Sequence, residues 1–531
     1  MRRVRQKDTA PERALRKLLT ARGLRYRVCP KDLPGRPDIA NKSQRWAIFV
    51  HGCFWHGHRG CRLATLPKTN RAWWSAKLHA NRARDARKVQ ALRDLGFAVV
   101  VVWQCELSDP DIASRVVAAI GRTAALPSRV EMVPSDEGFL RRKTAPPEPT
   151  GEIVRIVDLF AGSGGMTLGA IEACRSLGRG AEVVLSMELD RRIRDVYDAN
   201  FATTITDERG DVRRRFHRAL RAPLSPREAA SAESIGEVDV LIGGPPCQGH
   251  SNLNNATRRA DPKNALYARM VRAAEVLRPR AVVIENVPGV IHDQRRVVAR
   301  ARRELRRLDY AVVDGTVCVA DIGIPQLRIR HVLLAVRQPG TVALPSVAEI
   351  VDMHRVQRAR TLRWALTAMP SLDDGLMDAV AKLSKKNRAR ARTLQRTGEF
   401  DLENKHRPPC HSAPEKKKHK YKSMYGRLDW TKPAQTITTG FGSPGQGRYL
   451  HPDELRTITA REAARVQFFP DWFDFSAAKT REVVASCIGN AVPPKLAFVM
   501  VRAVLEIVGA AQSDDAVSVA LGRSEFASAA E

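Results

Sequence analysis

The chain has 531 residues, of which 44% are hydrophobic, with 34 Gly and 31 Pro, which is enough for two or three domains and excludes a chain that is disordered throughout. Lys and Arg number 89 against 57 Asp and Glu, so the net charge of +32 indicates a negatively charged partner, and nucleic acid is the leading candidate. No apolar run approaches the ~18 residues that cross a bilayer, and the basic N-terminus lacks the apolar stretch of a secretory signal.

The first 122 residues are predicted to form a strongly basic α/β domain. They hold 26 Lys and Arg against 9 Asp and Glu, together with five of the eight Trp. The segment APERALRKLLTARGL (10–24) has helical spacing, residues 46–50 and 97–103 are typical of buried strands, and residues 72–95 indicate a charged helix. Positive charge interleaved with aromatic side chains is typical of a surface that binds phosphates and stacks on bases.

The segment LPGRPDI (33–39) places Asp38 just before a predicted strand, which is a suitable position for a ligand in a divalent-metal nuclease site. His56 is the candidate for the base that activates water, since histidine titrates near neutral pH. Taken singly, Asp38 could also be a turn residue.

The densest group of metal ligands is HGCFWHGHRGC (51–61). Cys53, His58 and Cys61 are close in sequence and suit zinc, and Cys105 at the end of a later predicted strand is the candidate for the fourth ligand. A closed site of three Cys and one His would join two strand ends. The alternative is a group of buried thiols with an incidental histidine.

Residues 123–151, rich in Pro and Ser, are predicted to form a linker. After it, short apolar β-branched runs alternate with helical stretches such as 164–177 and 264–277, which is the pattern of a doubly wound parallel sheet. Residues 378–425 break the pattern because they are basic and poor in apolar side chains. The last residues, 511–531, are rich in Ala and Ser and are predicted to be a disordered tail.

A glycine-rich loop, DLFAGSGG (158–165), follows the first strand of this second part and opens a helix. By itself such a loop is generic. Glu188 and Asp211 come at the ends of later predicted strands, where acids suit hydrogen bonds to ribose hydroxyls, although either could be an ordinary loop residue. Both acids at this spacing favour an adenosine-type cofactor.

The segment GGPPCQGHS (243–251) carries Cys247 on a proline-stiffened loop at the carboxyl edge of the predicted sheet, where such folds place ligands. A lone cysteine is more often a small buried apolar residue, but a rigid loop at this edge favours a nucleophile. Glu285 ends the next predicted strand, and the segment QLRIR (326–330) precedes another.

Residues 153–508 resemble the C5-cytosine DNA methyltransferase family. The resemblance rests on DLFAGSGG, Glu188, Asp211, PPCQ (245–248), ENV (285–287), QLRIR, RLDWTKPAQTITT (427–439), AREAARVQFFP (460–470) and GNAVPP (489–494), all in the family's order. It implies a Rossmann-like doubly wound methyltransferase domain, which we assign to residues 152–510, with a small target-recognition region at about 338–426. His250 stands where many relatives have Phe, which we interpret as variation in loop packing. The basic residues of the target-recognition region suit phosphate contacts, although they could also form a solvated charged face: Lys385, Lys386, Arg388, Arg390 and Arg392.

The resemblance implies methylation of cytosine at C5 in duplex DNA with S-adenosylmethionine as methyl donor. Cys247 would attack C6 of a flipped-out cytosine, Glu285 would hold its N3/N4 edge, and Arg330 would contact O2. Arg328 would support the catalytic loop. The methyl donor would lie against the glycine-rich loop, later strand ends and the C-terminal motif: Phe160, Gly162, Gly164, Glu188, Asp211, Pro245 and Asn490.

Residues 1–122 resemble the very short patch repair (Vsr) DNA mismatch endonucleases, which are similar to restriction endonucleases in fold and nick beside the thymine of a T:G mismatch. The matching segments are KDTAPERALRKLL, LPGRPDI, IFVHGCFWHGH, PKTNRAWWSAK, NRARD and VVWQCEL. The resemblance implies that Asp38 binds Mg²⁺, that His56 is the general base, and that Glu12 and Asp85 assist. It further implies structural zinc and an aromatic wedge in the mispaired step, with Cys53, His58, Cys61 and Cys105 as zinc ligands and Phe54, Trp55 and Trp74 as the wedge.

Together the two halves predict a bifunctional DNA enzyme. Deamination of 5-methylcytosine leaves T opposite G, so the second domain creates the mismatch that the first would nick, and fusion raises the local concentration of each near the other's product. The alternatives are a restriction–modification enzyme whose nuclease cuts unmethylated DNA, and a methyltransferase with an inactive zinc-containing DNA-binding module. Double-stranded DNA is the predicted partner, mismatch-repair proteins are further candidates, no membrane is expected, and the sequence favours a monomer in the bacterial cytoplasm associated with the nucleoid.

Overall fold

The structure is a computed structural model that describes residues 8–30, 32–56, 58, 61–65, 69–95, 97–109, 112–113, 116–117, 120, 135–147, 149–207, 209–246, 266–337, 344–369, 375–409 and 423–509. The chain divides into two compact units between Val130 and Glu131, inside the segment predicted as a linker. Among the residues described, none of the helices combines the length and the apolar character required to cross a bilayer.

A mixed sheet of four strands organises the described part of the first unit. The strands, in spatial order, are β1 (Arg27–Val28), β2 (Ile39–Asn41), β3 (Trp46–His51) and β4 (Ala98–Trp103). β1 to β3 pair antiparallel, whereas β3 and β4 pair parallel with His51 opposite Trp103. Because β3 and β4 run in the same direction, the residues that follow them leave the sheet at one edge.

β3 is buried on both faces because helices cover each side of the sheet. Leu15 and Leu19 of helix Ala10–Ala21 pack against one face of the sheet, in a core that also contains alternate residues of β3. Helix Arg71–Asp94 packs Leu92 against the other face. The continuous apolar run WAIFV follows from this two-sided burial. The remaining elements with defined bounds are helix Cys53–His56 and the 3₁₀ turns Arg62–Ala64 and Gln104–Ser108.

A six-stranded sheet lies at the centre of the described part of the second unit, in the order β6-β5-β7-β8-β10-β9. Its strands are β5 (Ile153–Leu159), β6 (Gly180–Met187), β7 (Val240–Gly243), β8 (Ala281–Asn286), β9 (Tyr310–Cys318) and β10 (Ile329–Arg337). β5 to β8 pair parallel, but β10 pairs antiparallel with both β8 and β9. The prediction of a wholly parallel sheet is therefore wrong for β10, because residues 319–328 are too few for the crossover that a parallel pair needs.

Helices cover both faces of this sheet, as predicted for a doubly wound domain. Tyr267–Leu277 and Val297–Arg307 share one large core with alternate residues of the strands. Gly165–Ser176 contacts β5, β6 and the helix over residues 494–509. Among the described residues after β5, the other helices and 3₁₀ turns with defined bounds are Arg191–Asp198, Val212–Arg215, Pro226–Ile235, Pro288–His292, Val319–Ile322, Val347–Met353, Leu362–Leu366, Lys385–Thr397, Asn404–His406, Pro444–Gln446, Ala460–Val466 and Arg481–Gly489.

Part of the segment predicted as a linker, 123–151, is folded against the second unit. Helix Asp136–Leu140 buries Phe139, whose ring stacks on Phe468 at 6.0 Å. The carboxylate of Asp136 is fully buried, where it pairs with Arg360 at 2.6 Å and with Lys495. Within this segment, a few apolar and charged side chains of the described residues thus pack onto the domain that follows.

Residues of the target-recognition region, predicted at about 338–426, share a small core with residues that follow it. Its members are Leu383, Ala391, Leu394, Leu402 and Leu450, with Tyr425 and Leu455 packed against them. Helix Lys385–Thr397 contributes two of these residues and exposes most of its Lys and Arg side chains. Residues 338–343, 370–374 and 410–422 lie outside the described residues, as does the predicted disordered tail 511–531.

Candidate functional sites

The glycine-rich loop joins β5 to helix Gly165–Ser176 through left-handed backbone conformations. φ is 63° at Phe160, 57° at Gly162 and 92° at Gly164. A Cβ at Gly164 would collide with the ring of Phe201, so this turn requires glycine. The loop therefore turns tightly at the carboxyl end of β5, where the sequence predicts the methyl-donor site.

Glu188, which follows β6, lies directly against this loop. Its carboxylate accepts hydrogen bonds from the backbone N–H of Gly162 at 3.0 Å and of Asp190 at 2.9 Å. Burial raises the pKa of Glu188 above its ordinary value. A Cβ at Gly210 would collide with the carbonyl of Glu188, so the chain carrying Asp211 passes along the same edge.

Asp211 begins helix Val212–Arg215 and accepts the backbone N–H of Arg213 at 3.0 Å. The Arg213 guanidinium also donates to this carboxylate at 2.8 and 2.9 Å, which lowers the pKa of Asp211. The structure thus brings both predicted ribose-binding acids to the edge that carries the glycine-rich loop.

Glu285 and Arg330 form an ion pair at the carboxyl edge of the sheet, with Nε 2.7 Å from Oε1 and side chains only 11% and 12% exposed. Glu285 lies near the end of β8, whereas Arg330 lies near the start of β10. They meet because β10 runs antiparallel to β8. The side chain of Asn286 donates to the carbonyl of Pro245 at 3.1 Å, which ties the loop after β7 to the same edge.

Arg328 lies in the interior of the unit. Its side chain, in a residue only 2% exposed, donates to the carbonyls of Ile437 at 2.7 Å and of Gly489 and Ala491 at 3.2 Å. The guanidinium thus joins the segments around residues 437 and 489–491, which suits the supporting role that the resemblance implies.

The predicted nucleophile Cys247 lies outside the described residues. The C-terminal motif is described: Asn490 follows helix Arg481–Gly489 and is exposed. The hydroxyl of Ser163 donates to the carbonyl of Cys487 at 2.9 Å, so the last turn of this helix is joined to the glycine-rich loop.

In the first unit, Asp38 precedes β2 and its carboxylate accepts the backbone N–H of Val50 at 2.8 Å. Burial, helped by the charge of Glu12, raises the pKa of Asp38 to about 6. Glu12 is itself buried and accepts the hydroxyl of Thr9 at 2.7 Å. Ligand atoms of Glu12, Cys29 and Asp38 lie within 4.8 Å of one another, a group in which two carboxylates suit a divalent cation.

His56 ends helix Cys53–His56, and its Nδ1 lies 2.6 Å from Oδ2 of Asp85 on helix Arg71–Asp94. Although burial opposes it, the hydrogen bond with His56 lowers the pKa of Asp85. Because Nδ1 is engaged, Nε2 is the ring nitrogen that remains to accept a proton. The predicted base and its predicted acidic assistant are therefore in contact.

His51 belongs to this group, although the sequence analysis gave it no role. Its ring stacks on His56 with centroids 4.0 Å apart and planes inclined by 9°. Burial and the neighbouring His56 lower the pKa of His51 to about 3. His51 therefore offers His56 a neutral, flat surface.

The four predicted zinc ligands lie together. Ligand atoms of Cys53, His58, Cys61 and Cys105 are within 4.8 Å of one another, and Nδ1 of His58 is 3.6 and 3.3 Å from the sulfurs of Cys53 and Cys105. Burial and the other two thiols raise the pKa of Cys105 to about 12. Three sulfurs and one nitrogen at this spacing fit zinc, which binds thiolates.

The three residues predicted as an aromatic wedge also form one group. The ring of Phe54 lies 5.1 Å from Trp55 and 5.2 Å from Trp74. Trp55 and Trp74 are 6.2 Å apart, and Trp73, which is half exposed, lies 4.9 Å from Trp74. Such a cluster beside a nuclease site suits insertion into a base step.

Two protein families match the chain. The C-5 cytosine-specific DNA methylase model matches residues 154–506, and the DNA mismatch endonuclease Vsr model matches residues 1–62. The chain belongs to the C-5 cytosine-specific DNA methylases and carries a DNA mismatch endonuclease Vsr domain. Both resemblances drawn from the motifs are confirmed.

Curated relatives match each part of this methylase separately. The Type II methyltransferase M1.BsuMI of Bacillus subtilis is 38% identical over 367 residues, which is 69% of this chain and 84% of the relative. The Type II nicking enzyme V.XorIIP of Xanthomonas oryzae is 59% identical over 109 residues, 20% of this chain and 79% of the relative. The DNA mismatch endonuclease Vsr of Escherichia coli is 45% identical over 107 residues, 20% of this chain and 68% of the relative.

The methylase therefore carries a C5-cytosine methyltransferase domain and a mismatch endonuclease domain on one chain. Double-stranded DNA is its substrate, and S-adenosylmethionine is the methyl donor expected for the family.

Sequence reasoning missed several residues of these sites. His51 stands in the histidine-rich run, and its position at the end of a strand could have marked it. Gln326 was seen only as part of a motif, yet it donates to Gln467 at 2.6 Å in the interior. Gln467 likewise stood only within the motif AREAARVQFFP. Nothing in the sequence signals the approach of Cys29 to Asp38, because that contact depends on packing between distant segments.

Proposed function

We propose that this methylase modifies C5 of a flipped-out cytosine at a specific site in duplex DNA, and that its Vsr domain nicks the T:G mismatch left when the product deaminates. The observation that carries the first half is the Glu285–Arg330 ion pair beside Pro245 at the carboxyl edge of the sheet. A pair so nearly buried is oriented before a base arrives, which is the requirement for holding a polar ring edge.

Each residue of this pocket has a distinct task. The sulfur of Cys247 would bond to C6, which places electron density on C5; after methyl transfer, loss of the C5 proton and departure of the sulfur restore the ring. Glu285 would hold the N3/N4 edge and Arg330 would donate to O2. S-adenosylmethionine supplies the methyl group when bound, and the loop, strand ends and C-terminal motif described above would hold it: Phe160, Gly162, Gly164, Glu188, Asp211, Pro245 and Asn490.

A mechanism-based trap tests this half. The target site is first mapped by sequencing methylated host DNA, and 5-fluorocytosine is then placed at that site in a synthetic duplex. The wild-type enzyme with methyl donor should form a covalent complex that survives denaturation, and Cys247→Ser should form none. Cys318→Ser, a cysteine at the end of β9, is the matched control and should still be captured. Failure to capture the wild-type enzyme would overturn the proposal.

The Vsr half rests on the contact between His56 and Asp85 and on the group around Asp38. Asp38 and Glu12 would hold Mg²⁺, which would offset charge on the scissile phosphate. His56, oriented by Asp85, would take a proton from the attacking water. Zinc would be held by Cys53, His58, Cys61 and Cys105, and the wedge of Phe54, Trp55 and Trp74 would open the mispaired step.

Nicking is tested on a duplex that carries T:G at the mapped methylation site. The wild-type enzyme should nick one strand beside the T when Mg²⁺ is present, and leave the matched duplex intact. Asp38→Asn and His56→Ala should abolish nicking while methylation by the same preparation continues. Asp32→Asn is the matched control, since Asp32 is an exposed acid that pairs with Lys42 on the surface.

The same assay separates the proposal from its two alternatives. Double-strand cleavage of unmethylated matched DNA would favour a restriction–modification enzyme instead. Tight binding of the mismatch without any nicking would indicate an inactive DNA-binding module. Relatives named as nicking enzymes support single-strand cleavage.

A further inference from the structure

A row of four rings connects the predicted zinc ligands of the Vsr domain to His56. His58 stacks on Trp103 with ring centroids 4.1 Å apart and planes inclined by 5°. Trp103 meets His51 edge to face at 5.3 Å and 77°, and His51 stacks on His56 at 4.0 Å and 9°. The row therefore starts at a metal ligand and ends at the ring that would activate water.

The sheet explains why these rings meet. His51 is the last residue of β3 and lies opposite Trp103, the last residue of β4, because the two strands are parallel. Two residues beyond each ring comes a sulfur of the zinc group, Cys53 after β3 and Cys105 after β4. One pair of strand ends thus supplies two of the four predicted metal ligands and the two central rings of the row.

His56 needs more than one constraint to keep its plane. Its hydrogen bond to Asp85 fixes the position of Nδ1, but a single hydrogen bond leaves the ring free to rock about that contact. The stacked ring of His51 removes this freedom, and the edge of Trp103 in turn holds His51. Trp103 is only half-buried, so filling the core is not its main contribution.

We propose that Trp103 is a positioning residue for nicking, which transmits the geometry of the zinc group through His51 to the plane of His56. The inference rests on the proposed nicking function and deepens it. Besides stabilising the domain, zinc would then hold the ring of His58, on which Trp103 stacks, and so help to orient His56 toward the attacking water.

The test compares Trp103→Leu with Trp103→Phe in the full-length enzyme. Trp46→Leu is the matched control, because Trp46 fills the core at the opposite end of β3, five residues and about 16 Å from His51. Four quantities are measured on each variant: zinc content by mass spectrometry, affinity for the T:G duplex, single-turnover nicking rate, and methylation rate.

Trp103→Leu should keep its zinc, its affinity for the duplex and its methylation, and should lose roughly 10- to 100-fold in single-turnover nicking, the range expected when a catalytic group is misaligned. Trp103→Phe keeps a flat ring and should recover most of that rate. Trp46→Leu should lower stability and leave the nicking rate close to wild type. Wild-type nicking by Trp103→Leu, equal loss in Trp46→Leu, or no recovery in Trp103→Phe would each overturn the inference.

A second measurement applies even where Trp103→Leu fails to fold. The enzyme is labelled with 5-fluorotryptophan, and the ¹⁹F resonance of Trp103 is assigned by its absence in Trp103→Phe. His56→Ala should shift this resonance although His51 lies between the rings, while the Trp46 resonance stays in place. An unmoved Trp103 resonance would count against the coupling.

The two proposals fail in different ways. If the wild-type enzyme leaves the T:G duplex intact, the nicking function fails whatever the ¹⁹F spectrum shows. If the wild-type enzyme nicks and Trp103→Leu nicks equally well, only the role of Trp103 fails.

Discussion

Replacing Arg328 with Met should lower the temperature at which the methylase domain unfolds. The guanidinium lies in a residue that is 2% exposed and donates to the carbonyls of residues 437, 489 and 491. A hydrogen bond from a charged donor contributes about 1.5–3 kcal/mol, and a buried acceptor left without its partner costs about 1–3 kcal/mol. Because such contributions do not add fully, we expect a total loss of about 3–5 kcal/mol.

Calorimetry on the full-length enzyme measures this loss, with the methylase transition assigned by its shift on addition of methyl donor. At about 2 °C per kcal/mol for a domain of this size, Tm should fall by roughly 6–10 °C. Arg330→Met is the matched control, since its side chain lines the pocket beside Glu285. It should reduce methylation by about 100-fold or more. An unchanged Tm in Arg328→Met together with lost methylation would refute this supporting role and would indicate that Arg328 takes part in the methylation reaction itself.

Three further outcomes are expected. Burial raises the pKa of Asp38 to about 6 from 3.8, so between those values the folded Vsr domain keeps a proton that the unfolded chain loses. In Mg²⁺-free buffer the free energy of unfolding of this domain should therefore fall by up to about 3 kcal/mol as the pH rises through this window. Urea titrations measure this dependence on pH, and Asp38→Asn should flatten it. Trp74→Ala should weaken binding of the T:G duplex by about 1–3 kcal/mol in fluorescence anisotropy, and equal binding would remove Trp74 from the wedge. Asp136→Ala removes the carboxylate that pairs with Arg360 and Lys495 in the interior, so the methylase domain should lose about 3–5 kcal/mol, which denaturant titration can check.

Local patterns predicted the elements of this enzyme better than their arrangement. The run WAIFV indicated a buried strand because a strand covered on both faces has no polar positions, and β3 is such a strand. The ligands Cys53, His58 and Cys61 lie close in sequence, so the sequence alone could group them. His51 and Trp103 could not be paired in this way, because their contact depends on the register between β3 and β4. The helix within the predicted linker was missed for a related reason: Asp136 and Phe139 are held by partners far along the chain.

The one strand whose direction was predicted wrongly is the strand on which the methylation pocket depends. In a parallel sheet the carboxyl ends of all strands lie at one edge. If β10 were parallel to β8, its first residues, including Arg330, would lie at the opposite edge, about a strand length from Glu285. Because β10 is reversed, its first residues lie at the edge where β8 ends, and Arg330 reaches Glu285 at 2.7 Å. In the Vsr domain it is parallel strands that bring two side chains together, because His51 and Trp103 both lie at the carboxyl ends of their strands. In each domain, strand direction decides which chemical groups meet, and motif spacing alone carries no information about that direction.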